Sequence, residues 1–109
     1  VRMAAAKRFI IRCISNGQVK EFITIIDAED AHLLRAYQWC TVTKHSGDAA
    51  KPYHYVVRHG VNGQEALHHV VLGVDLKRPE RVYHINGNTL DNRKANLMRE
   101  SCRITEVAA

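Results

Sequence analysis

Tyr83-His84-Ile85-Asn86-Gly87-Asn88-Thr89-Leu90-Asp91-Asn92-Arg93-Lys94-Ala95-Asn96-Leu97 is the stretch on which the reading of this chain turns. Its flanks favour strands and its middle does not. Arg81 to Ile85 reads as one strand and Leu97 to Ser101 as another. Between them, Asn86 to Ala95 is rich in Asn, Gly and Asp, whose short side chains bond to nearby backbone and tolerate left-handed conformations. Such a segment packs on its own side chains as an Ω-loop. Gly87 is the expected positive-φ residue, and Asn86, Asn88 and Asn92 are expected to cap turns inside the loop. Asp91 is expected to cap a helical turn over Asn92 to Asn96, and Cys102 to Ala109 to begin a helix.

Upstream, two β-rich runs, Lys7 to Ile14 and Val19 to Ile26, flank Ser15-Asn16-Gly17-Gln18. Asn-Gly is a strong hairpin signal, because both residues accept the positive φ of a type I′ turn. Asp27 is placed to cap a helix over Ala28 to Tyr37, with Ala31, Leu33, Leu34 and Tyr37 near one face. Strands follow at Trp39 to Thr43 and, after a polar loop with Gly47 and Pro52, at Tyr53 to His59. Gly60-Val61-Asn62-Gly63 turns the chain back into Glu65 to Leu67. His68 to Leu72 is compatible with a continued strand or a short helix, since periodicity does not discriminate over so few residues.

The 109 residues and ordinary apolar content fit one globular domain. No apolar run approaches a membrane span, and no apolar leader precedes a small-residue cleavage site, so a cytoplasmic protein is expected. Cys13, Cys40 and Cys102 are odd in number and far apart, which argues against a disulfide framework or a cysteine zinc site. The formal charge of +5 points weakly to a polyanionic partner. From Lys77 onward, seven basic residues face four acidic ones, so this third is the expected phosphate-facing part.

The quoted stretch resembles the signature of the HNH endonucleases, ββα-metal nucleases of which phage and homing-endonuclease-like members are the most similar. Their run begins Asp-His-Ile-Asn-Gly-Asn and closes Leu-Asp-Asn-Arg-Arg-x-Asn-Leu-Arg. Ile25-Ile26-Asp27-Ala28-Glu29-Asp30, Tyr37-Gln38-Trp39 and Leu67-His68-His69-Val70-Val71-Leu72-Gly73 resemble elements that precede the nuclease core in the same group, with His69 where Arg is usual. The resemblance covers roughly residues 20 to 105. It implies an α+β fold in which a β-rich N-terminal part (7–60) with one helix leads into an HNH core (64–109) of ββα-metal hairpin, Ω-loop and short C-terminal helix. It also implies metal-dependent hydrolysis of DNA phosphodiesters in a bacterial or phage-infected cell.

By that resemblance His84 is the general base, a task suited to imidazole because its ordinary pKa lies near the working pH. Asn96 is the asparagine that pins the loop near the histidine, since a carboxamide donates and accepts at once. A divalent ion (Mg, Mn or Zn) would be held by the residue before the histidine and by one on the following helix. Those positions carry Tyr83 and Thr105. A phenol and an aliphatic hydroxyl are poor ligands for a hard cation, so impaired cleavage is the expectation. His68 is the alternative ligand, for a softer ion. If the two histidines lie on a strand, His68 and His69 point to opposite faces. Arg93, Lys94 and Arg99 are the expected nucleic-acid contacts. The alternative to an enzyme is a nucleic-acid-binding or regulatory protein that retains the architecture without hydrolysis.

Overall fold

The computed structural model describes residues 5–45, 51–61, 63–77, 80–100 and 106–108. The N-terminal hairpin pairs β1 (Ala6–Ser15) with β2 (Gln18–Asp27), Ser15 opposite Gln18, leaving a two-residue turn. Asn16 and Gly17 both have positive φ, +51° and +73°, the type I′ geometry that joins strands of native twist. A second sheet has the order β3 (Cys40–Lys44), β4 (Tyr53–Gly60), β5 (Gly63–Ala66), antiparallel throughout. A third pairs β6 (Val82–His84) with β7 (Leu97–Arg99), His84 opposite Leu97. Ile11, Ile26, Val56, Leu67, Val71 and Leu97 form the core, drawn from β1, β2, β4, β7 and the segment 67–72, with Trp39 and Leu90 packed against it.

Two α-helices of six residues each, α1 (Ala31–Ala36) and α2 (Leu67–Leu72), and two 3₁₀ turns, Ala28–Asp30 and Lys94–Asn96, complete the described elements. The chain is therefore mainly β, in three small sheets, and does not adopt the expected α+β arrangement of a helix leading into a ββα-metal core. One cause is visible at Asp27. Its carboxylate makes no cap for the following turn. Instead Oδ2 accepts the backbone N–H of Lys94 at 2.9 Å. Without that cap, Ala28–Asp30 forms a 3₁₀ turn and the α-helix is confined to Ala31–Ala36. Tyr37 is already extended, and its ring lies 4.1 Å from the Arg58 guanidinium. At the other end of the chain, Glu106 to Ala108 has no regular structure, while residues 101–105 of the expected C-terminal helix fall outside the described ones.

The ambiguous segment 68–72 resolves as helix. Gly73, at φ +69°, ends α2 in the left-handed conformation and donates to the Val70 carbonyl, while Val74 donates to that of His69. Cys13 and Cys40 are free thiols. Among the described residues no helix is long and apolar enough to cross a membrane.

Candidate functional site

The loop between β6 and β7 is held by its own asparagines. Asn96 Oδ1 accepts the backbone N–H of Asn86, and Asn96 Nδ2 donates to Asn86 Oδ1 and to the Asp91 carbonyl, each at 2.9 Å. Its backbone carbonyl takes the N–H of Ile85. Asn96 thus ties the residues directly after His84 to the far side of the loop. Asn86 and Asn88 accept from backbone two residues on, at Asn88 and Leu90, as short turn caps do. Asp91 does not cap a helical turn. Its carboxylate is gripped by Arg93 through Nε at 2.8 Å and Nη2 at 2.7 Å, and by Asn86 Nδ2. Arg93, first among these causes, holds the Asp91 carboxyl below the usual carboxylate range.

Asn92 has a role that local reading missed. Fully buried, it reaches His84: Asn92 Oδ1 lies 3.0 Å from His84 Nε2. The orientation of that amide follows from Thr24 on β2. The Thr24 hydroxyl donates to the Leu90 carbonyl at 2.7 Å, so its oxygen must accept from Asn92 Nδ2 at 3.0 Å. The amide oxygen therefore faces the imidazole. A carboxamide oxygen only accepts, so His84 carries its proton on Nε2 and its lone pair on Nδ1. Backbone bonds between Ile25 and Leu90 and between Asn92 and Ile25 clamp the loop to the β2 edge.

His84 lines a cleft of about 620 Å³ with Tyr53 and Tyr55 of β4, His68 and His69 of α2, and Arg81 and Tyr83 around β6. On the short helix the two neighbouring histidines both reach this cleft, ring centroids 4.5 Å apart, which corrects the expectation of opposite faces on a strand. The His68 ring also meets the His84 ring edge to face at 5.0 Å. Burial, with the neighbouring imidazoles, pushes the His68 pKa down to about 3. Burial lowers His84 as well, with Asn92 and Asp91 opposing, and lowers His69 against a hydrogen bond to the Glu80 backbone. The cleft therefore presents neutral imidazoles at neutral pH.

Of the expected ligands, Tyr83 is half-exposed, with the Arg81 guanidinium 5.9 Å from its ring centre. Thr105 lies outside the described residues. His68 Nδ1 is buried without a hydrogen-bond partner. The residue before His84 is a phenol beside a cation and the carboxylate of Asp91 is spent on Arg93 and Asn86, which leaves Glu80 as the carboxylate among the described residues lining the cleft, a poor donor set for a hard divalent ion. The acidic group Asp27, Glu29 and Asp30 lies elsewhere and is occupied: the Lys94 ammonium sits 2.9 Å from Glu29 Oε1 and 3.2 Å from Asp30 Oδ1. Of the expected nucleic-acid contacts, Arg93 and Lys94 are thus engaged in ion pairs, and Arg99 Nη2 donates to the Leu72 carbonyl at 3.1 Å.

No family model, no curated protein and no solved structure matches the chain.

Proposed function

We propose that this is a DNA-binding protein with HNH-type endonuclease chemistry, in which His84 is the base and cleavage in Mg²⁺ is weak. The observation that carries this reading is the contact of His84 Nε2 with the buried Asn92 amide oxygen at 3.0 Å, from which the tautomer follows. A neutral imidazole with its lone pair on Nδ1, held by a buried amide in the wall of an open cleft, is equipped to take a proton from water attacking a phosphodiester. Arg81 lines the same wall, its guanidinium 3.9 Å from the Glu100 carboxylate. The Asp91 carboxylate nearby is already engaged by Arg93 and Asn86, and a positioned base achieves little while charge on the leaving oxygen is unstabilised.

The test is nicking of supercoiled plasmid with Mg²⁺, Mn²⁺, Zn²⁺ and Ni²⁺ in turn. The wild type is expected to cleave slowly or not at all in Mg²⁺. Tyr83→Asp places an anionic oxygen beside His84 and is expected to raise nicking, and His84→Ala on that background to abolish the gain. Robust wild-type cleavage that survives Tyr83→Phe and disappears with a chelator would overturn the expectation of weak cleavage and place the ion on other residues, His68 first. A second reading, binding without hydrolysis, is favoured by the phenol at position 83. It predicts no nicking by any of these proteins with intact DNA binding.

A further inference from the structure

We infer that the cleft takes single-stranded rather than duplex DNA, with bases stacked on Tyr53 and Tyr83. This rests on the DNA-binding reading above and specifies its substrate. Most cations near the loop are already committed to carboxylates. Duplex binding draws its strength from several lysines and arginines that neutralise phosphates and release counterions. Here Arg93 is locked to Asp91, Lys94 lies between Glu29 and Asp30, and Arg58 is paired with Glu65 at 2.9 Å. A cation already neutralised by a carboxylate adds little field at a phosphate. Among the described residues lining the cleft, Arg81 is the one Lys or Arg, its guanidinium 3.9 Å from the Glu100 carboxylate, and Glu80 lines it too.

The cleft offers aromatic rings instead. Tyr53 and Tyr83 line this cleft and are 38% and 44% exposed. Tyr53 and Tyr55 share a face of β4 by the two-residue period, with ring centroids 6.2 Å apart. Exposed aromatic rings beside a single guanidinium offer stacking faces to unpaired bases while making few phosphate contacts. A base paired within a duplex hides its face between neighbours and cannot use such rings. A cleft of about 620 Å³ is also on the scale of a small-ligand pocket, suited to unstacked nucleotides.

The experiment compares a fluorescein-labelled single-stranded dodecamer with the duplex of the same sequence, by anisotropy across a salt series without divalent ions. The single strand is expected to bind roughly tenfold more tightly at physiological salt, with a log–log salt slope near about −1, one or two phosphates' worth. Tyr53→Ala and Tyr83→Ala are each expected to weaken single-strand binding about tenfold, and the phenylalanine variants to retain it, because stacking needs the ring and not the hydroxyl. Melting temperatures of the alanine variants separate lost stacking from lost folding. If the duplex binds as tightly as the single strand, or folded alanine variants bind like wild type, the inference fails and the DNA-binding reading stands. If neither DNA binds even at low salt, the DNA-binding reading itself fails.

Discussion

Replacing Asn92 with leucine removes the one acceptor that faces His84 Nε2. In the wild type, ¹⁵N shifts at pH 7 are expected to show Nε2 protonated and Nδ1 bare. In Asn92→Leu, His84 is expected to exchange between tautomers, and the protein to lose about 1–3 kcal/mol because the Thr24 oxygen loses its buried donor and His84 Nε2 its acceptor. An unchanged tautomer signature in the variant would remove Asn92 from this role. The pinning of the loop by Asn96 next to His84 was legible in the sequence, because both lie in one continuous stretch. Asn92 was read as a turn cap for a physical reason. Its decisive partner, Thr24, is 68 residues upstream, and the pairing depends on where the loop meets β2. No local pattern encodes that register.

At the scale of elements, the loop depends unequally on its asparagines. Asn96→Ala breaks three side-chain bonds, two of them to backbone, in a buried setting, and is expected to cost about 2–4 kcal/mol in urea unfolding. Asn88→Ala, on an exposed residue whose Oδ1 accepts one backbone bond, is expected to cost less than about 1 kcal/mol. Similar losses for both would mean that the loop is not organised around Asn96. On the second sheet, a Cβ added at Gly60 collides with the Glu65 carboxylate, which Arg58 fixes in place at 2.9 Å. Gly60→Ala is therefore expected to destabilise by about 1–3 kcal/mol, and Glu65→Gly on that background to relieve the clash while stranding Arg58. The elements themselves were unevenly legible. The first hairpin followed from Asn16-Gly17, since a turn that demands positive φ twice has few sequence solutions. The first helix was overread, because Asp27 looks like a cap from its neighbours alone and is in fact engaged by Lys94.

Across the whole molecule, three neighbouring imidazoles whose proton affinity is lowered by burial make stability depend on acid. Unfolded histidine protonates near pH 6.5, whereas folded His68 does so at about 3. Between those values the unfolded chain binds more protons. The stabilising contribution is thus full above about pH 6.5 and declines as the pH falls toward 3, on the order of 1.4 kcal/mol per pH unit for this group. His69 and His84 act in the same direction. His68→Phe keeps an aromatic ring against Tyr55 and His84 and is expected to flatten the profile between pH 6 and 4. A profile as steep as that of the wild type would exclude His68 as its source. Charge was the least legible property at this scale. Composition places a basic excess after Lys77, but composition does not report ion pairing. The carboxylates that neutralise Lys94 come from Glu29 and Asp30, and meet it only once β2 and the loop are side by side.

That side-by-side arrangement is a short parallel bridge, Ile25 beside Asp91, and it bears on portability. A signature of fifteen consecutive residues invites treatment as a cassette, to be grafted onto a new scaffold or expressed as a minimal fragment. Here the cassette is incomplete without a strand from the opposite end of the chain, because Thr24 sets the Asn92 amide and Ile25 supplies the backbone clamp. A graft of residues 81–100 alone would reproduce the letters of the motif and leave its histidine free to choose either tautomer.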